Sequence, residues 1–156
     1  MPEARAAMAA TAVAFHFNAP SKLAYACKLV RKLQRMDMPL VVLGEPEVVA
    51  QLDAALWSFG GESQFLAHCQ GGADVAVLQR SPTVLVTQID STLPHSRVLL
   101  NLSAQMPADF ARFERVIEVV SADDENDRQQ ARQRWRAYTA QGYAIERRDL
   151  VMKTED

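Results

Sequence analysis

Residues 39–58 read PLVVLGEPEVVAQLDAALWS, and this stretch decides the fold. Leu40 to Leu43 is a continuous apolar run, too short for a helix and bounded by Pro39 and Gly44. That is the pattern of a strand buried on both faces. Glu45, Pro46 and Glu47 then open a helix, because proline fits a first helical turn and the two carboxylates face the positive end of the helix dipole. Val48, Leu52, Ala55 and Leu56 supply its apolar stripe. Toward the N-terminus the same alternation repeats. AVAFHF (12–17) reads as a strand closed by Asn18 and Pro20, and Ser21 stands where an N-cap belongs. Beyond it, Leu23, Ala26, Cys27, Val30 and Leu33 recur at three- and four-residue spacing on one face of a helix that ends before Pro39. Strand, helix, strand, helix at this spacing predicts crossover units on a parallel sheet, hence the α/β class.

Toward the C-terminus, residues 58–80 are the least regular part of the chain and read as loops with one short strand near Phe65 to Cys69. Residues 82–89, 97–103 and 116–120 predict strands. Residues 107–113 predict a short helix and 124–141 a long one, with Gly142 where a C-terminal stop belongs. Residues 143–151 predict a final edge strand.

The chain has 156 residues, 49% hydrophobic and 23% charged, which suits one globular domain and leaves no room for a second. That domain is expected over residues 1–152, with 1–10 as an N-terminal extension and 153–156 as a frayed end. A net charge of −2 excludes a broadly basic nucleic-acid coat. Two cysteines, Cys27 and Cys69, fit a reducing compartment, so the cytoplasm is expected. No stretch approaches the length of a membrane-spanning apolar segment or of a signal peptide core, so no membrane association is expected.

Phosphate-binding motifs are absent where an α/β fold would carry them. The loop after the first strand, Asn18-Ala19-Pro20-Ser21-Lys22, has no glycine to bring backbone amides against a pyrophosphate. His16, His68 and His95 lie on separate segments, and no ligand stands at metal spacing from His68-Cys69. Neither a metal nor a cofactor is expected. No local set of nucleophile, base and orienter is visible either, and the acidic group Asp123, Asp124, Glu125 and Asp127 is explained by capping of a helix start. A small nucleotide-binding or hydrolytic α/β enzyme is the competing class.

The informative segment is RQQARQRWRAY (128–138), which carries +4 and leaves −6 for the remaining 145 residues. At about 100° per residue, Arg128, Arg132, Arg136 and Trp135 fall within one sector about 100° wide, with Ala131 and Tyr138 just beyond on the inward side. Two readings stand open. One is a solvated arginine face with a half-buried indole. The other is a cationic rim beside an apolar pocket, suited to a ligand with acidic groups and an apolar end, and a single good aromatic favours a peptide over single-stranded nucleic acid. Trp57, followed by Phe59 and Phe65 in an irregular stretch, is either core or a partner-binding patch.

LDAALW (52–57), FLAH (65–68), VLLNLS (98–103), ADFARFERVIEVV (108–120) and ARQRWRAYTAQGY (131–143) together resemble the chi subunit of bacterial DNA polymerase III. The resemblance covers roughly residues 12–145. It implies a Rossmann-like three-layer α/β fold with a mostly parallel central sheet, an accessory protein without catalysis, and two partners. One is the psi subunit, which tethers chi to the clamp loader. The other is the acidic, phenylalanine-terminated tail of single-stranded-DNA-binding protein, so that DNA is met only indirectly. By this resemblance Arg128, Arg132 and Arg136 fall on the positions for the acidic tail, and Trp135 with Val120 on the pocket for its apolar end. Trp57 and Phe65 fall on the aromatic surface used for psi and for a competing helicase.

Overall fold

The computed structural model describes residues 11–58 and 67–150. The expectations for Phe65, for residues 1–10 and for residues 153–156 fall outside them. In chain order the elements are β1 (Ala12–Ala19), α1 (Lys22–Arg35), β2 (Leu40–Leu43), α2 (Pro46–Ser58), β3 (Cys69–Gln70), α3 (Val75–Arg80), β4 (Thr83–Val86), β5 (Val98–Asn101), a 3-10 turn (Phe110–Arg112), β6 (Arg115–Ser121), α4 (Glu125–Ala140) and β7 (Ile145–Asp149). The described strands form one seven-stranded sheet in the order β3-β4-β2-β5-β6-β1-β7. Every pairing is parallel, including that of the edge strand β7 with β1. The sheet is thus wholly parallel, as the strand-helix alternation predicted, where the resemblance implied a mostly parallel one.

Strand alternation sorts the core into two layers. Leu40, Val42, Leu100 and Ile117 point to one face, beneath Ala26, Val30 and Leu33 of α1 and Val49, Leu52 and Leu56 of α2. Val41, Leu99, Val116 and Val120 point to the other, beneath Phe110, Phe113 and, from α4, Ala131 and Tyr138. All four residues of β2 are buried, as a strand covered on both faces requires.

The predicted caps form. Ser21 Oγ accepts from the Ala24 amide at 3.1 Å, and Asp124 Oδ1 accepts from the Asp127 amide at 3.1 Å. At the far end of α4, Gly142 takes φ +93°, and the Gly142 and Tyr143 amides close on the Thr139 and Tyr138 carbonyls at 2.9 and 3.1 Å. This double closure needs a left-handed residue, which glycine supplies without strain. Residues 69–80 differ from expectation. The short strand is Cys69–Gln70, and the six-residue helix α3 was not foreseen, because it buries a single side chain, Leu78, and so leaves no periodic stripe to read.

His16 lies buried on β1 with Nδ1 2.6 Å from the Tyr25 hydroxyl of α1. Burial, helped by the cations Arg148, Arg115 and Lys32, lowers its pKa from 6.5 to about 4. The unfolded chain therefore takes up a proton near pH 6.5 that the folded one refuses until about pH 4. The stabilisation by neutral His16 is complete above pH 6.5 and is lost as the pH falls toward 4. Chemical denaturation is expected to show wild type losing about 2 kcal/mol more than His16→Gln between pH 7 and pH 4.5. Parallel pH profiles for the two proteins would contradict this assignment.

Candidate functional site

β6 and β1 are neighbours in the sheet, yet the helices that follow them leave to opposite faces, α4 to one and α1 to the other. Such a reversal leaves a crevice outside the carboxyl ends of the two strands, the place where parallel α/β folds bind ligands. A pocket of about 600 Å³ opens there. Its floor is apolar, made by Phe15 and Phe17 of β1, Val120 of β6, and Ala131 and Trp135 of α4. Phe15 and Phe17 meet the Trp135 ring at centroid distances of 5.1 and 5.9 Å, so the indole is locked against the sheet.

The rim is cationic. Arg128, Arg132 and Arg136 rise from α4, and Arg147 comes from β7, stacking over the Phe17 and Trp135 rings at 5.2 and 5.8 Å. Glu125 already meets Arg132 at 2.8 Å and Arg128 at 3.8 Å, both exposed pairs, and Arg128 also donates to the Ala122 carbonyl at 3.0 Å. Exposed pairs of this kind are weak and exchange readily for another carboxylate. At the mouth Asn18 takes φ 66°, in the left-handed region asparagine tolerates, where the β1–β6 register shifts. Its side chain donates to Asp149 Oδ1 at 2.9 Å, tying β1 to β7 beside the pocket.

Arg128, Arg132, Trp135, Arg136 and Val120 therefore share one pocket. Sequence reasoning missed Arg147, which reaches the site only because β7 lies beside β1, a pairing with no local signature. It also missed the fourth arginine of α4. Arg134 is 2% exposed and points inward, where its Nε donates to Glu118 Oε1 at 2.8 Å and its Nη1 to the Ala104 carbonyl at 3.0 Å. Glu118, fully buried on β6, accepts on Oε2 from Asn101 Nδ2 at 2.9 Å and from the Tyr138 hydroxyl at 2.7 Å. Burial pushes the Glu118 carboxyl up, against the pull of Arg134 and these hydrogen bonds. Burial and the adjacent carboxylate also push the Tyr138 hydroxyl up, so it stays a donor. This cluster pins α4 to β6 through its inward face and leaves the outward arginines over the pocket. Arg134 Nη2 is buried with no partner in the described structure.

Trp57 lies elsewhere. It ends α2, on the opposite face of the sheet from α4, and is 60% exposed. Its ring meets His68 edge-on at 5.4 Å, and His68 Nε2 lies 2.9 Å from Asp53 Oδ1. The structure thus separates Trp57 from the arginine pocket. No group of three or more His, Cys, Asp or Glu side chains that could hold a metal occurs among the described residues, and no described helix is long and apolar enough to cross a membrane.

Residues 10–146 match the family model described as DNA polymerase III chi subunit, HolC. The chain is also similar to DNA polymerase III subunit chi of Pseudomonas aeruginosa, with 32% identity over 127 residues that cover 81% of this chain and 84% of that protein. The family match covers β1, β6 and α4, and on this extent the chain belongs to the chi subunit family of DNA polymerase III.

Proposed function

We propose that this protein is a replication adaptor without catalysis of its own, acting in the cytoplasm. Its pocket at the switch between β6 and β1 holds the acidic C-terminal tail of single-stranded-DNA-binding protein. The surface around Trp57 docks the psi subunit that joins it to the clamp loader, or a competing helicase, and the resemblance gives Phe65, outside the described residues, the same role. DNA is met through the tail and not directly. The observation that carries this reading is the four-arginine rim, Arg128, Arg132, Arg136 and Arg147, over a floor of Phe15, Val120 and Trp135. Arginine forks suit the carboxylates of an acidic chain and its free end, while the floor suits an apolar terminal side chain. Placing the two partners on opposite faces lets both be held at once, so that two modest contacts reinforce each other by linkage.

A nucleotide is the obvious rival at a switch-point crevice, and the helix that would receive its phosphates argues against it. The Asp127 amide at the start of α4 is taken by Asp124, and Asp127 in turn accepts from the Ser121 amide at 2.9 Å and pairs with Lys22 at 2.9 Å. Carboxylates occupy the anion position at this N-terminus. A thermal-shift panel separates the two readings. An Asp-rich peptide ending in Pro-Phe, at about a hundred times its Kd, is expected to raise Tm by about 5–10 °C. ATP, GTP, NAD, Mg²⁺ and Zn²⁺ are expected to leave it unmoved. Stabilisation by one of these with none by the peptide would reverse the assignment.

A further inference from the structure

A second pocket, of about 330 Å³, opens at the same edge of the sheet but on its α1 face. Successive residues of a strand face opposite ways. On β7 this sends Arg147 to the first pocket and Arg148 to the second. The floor of the second is formed by Pro20, Ala24, Leu29 and Leu150, with the Tyr25 ring held from behind by His16. Its rim is Lys28, Lys32 and Arg148, and none of the described residues that line it is acidic. The field there is positive enough that Arg148 and Lys32 both help to keep His16 unprotonated.

We infer that this pocket is a second anionic subsite, which receives the carboxylate-rich stretch lying upstream in the same acidic peptide whose end occupies the first pocket. The inference rests on the proposed function for the identity of the peptide. Three observations favour an acidic polypeptide as the occupant. Among the described residues the rim carries three cations and no carboxylate, so a chain of aspartates is complementary to it. Among the described residues the floor is aliphatic with a single aromatic ring, whereas single-stranded nucleic acid is held on several stacked rings. Finally, β7 is the edge of the sheet, with β1 on one side and no strand on the other among the described residues. An extended chain can therefore pass over this open edge from one face to the other.

The test uses three peptide ligands, oligothymidylate as a control, and one variant of the full chain. Lys28→Glu/Lys32→Glu changes two exposed side chains of α1 and none of the first pocket. The ligands are a short peptide ending in Asp-Pro-Phe, the same peptide extended upstream by ten residues rich in Asp, and the Asp-rich extension alone. Calorimetry at about 50 mM salt is expected to show the long peptide binding wild type at least about tenfold tighter than the short one, the scale of one or two charge-assisted contacts. The double variant is expected to abolish that advantage and leave the short peptide unchanged. Equal affinity of long and short peptides for wild type, or an advantage that survives in the variant, overturns the second subsite. Failure of the short peptide to bind overturns the tail assignment for the first pocket. In that case the extension alone decides for the second: weaker binding to the variant than to wild type keeps it, and no difference removes it. Oligothymidylate that binds wild type and not the variant, with no such difference for the peptides, would make the occupant a nucleic acid and overturn the inference.

Discussion

Glu118→Ala is expected to destabilise the folded domain by about 3–5 kcal/mol, because it strips the buried Arg134 of its counter-charge. That is a large share of the roughly 5–15 kcal/mol that holds a typical domain, and at this chain length it lowers Tm by about 6–20 °C. Glu118 is fully buried and Arg134 is 2% exposed, so bulk solvent does not screen the orphaned charge. Asn101 and Tyr138 lose their acceptor in the same step. Replacing both charges with apolar side chains, as in Glu118→Leu/Arg134→Met, is expected to recover most of the loss, since an apolar pair leaves no uncompensated charge behind. Thermal and urea denaturation of the three proteins checks this. A loss below about 1 kcal/mol for Glu118→Ala would show that α4 is held by its apolar contacts alone.

The second large effect falls on binding. Trp135→Ala is expected to weaken capture of an Asp-rich peptide ending in Pro-Phe by about 30- to 1,000-fold, the cost of about 2–4 kcal/mol typical of a buried aromatic anchor. The indole is both floor and brace, since it packs on Phe15 and Phe17 and carries Arg147 above it. Removing it opens the pocket and releases one of the four rim cations. Arg132→Ala is expected to cost about tenfold or more, the share of one charge-assisted contact. Its effect is smaller than that of Trp135 because Glu125 competes for the same guanidinium at 2.8 Å. Raising salt is expected to shrink the arginine effect and spare that of tryptophan, because the rim is exposed and screened while apolar burial is not.

The strand-helix-strand-helix order, the buried run of β2, the Ser21 and Asp124 caps and the Gly142 stop were all legible, since each depends on residues within a turn or two of one another. The outward sector of α4 was legible for the same reason, and it placed Arg128, Arg132, Arg136 and Trp135 on one face before any tertiary contact was known. Arg134 could have been read as well. The same helical geometry puts it at about 240° from Arg128, only about 40° from the inward Tyr138. Glu118 shares a strand face with Val116 and Val120, and a carboxylate there calls for a buried partner. The pairing of β7 with β1, the contribution of Arg147 and the second pocket around Lys28 and Arg148 depend on residues more than a hundred positions apart. No local period announces them. The helix α3 escaped because six residues with one buried side chain carry too little pattern to distinguish a helix from a loop.

Capture of an acidic peptide end by the arginine-rimmed pocket between β1, β6 and α4 is the proposed function. Isothermal titration of an Asp-rich peptide ending in Pro-Phe into wild type and into Arg132→Ala measures this most directly. Saturable one-to-one binding to wild type and at least about tenfold weaker binding to the variant are expected. Equal affinity for the two proteins would contradict it.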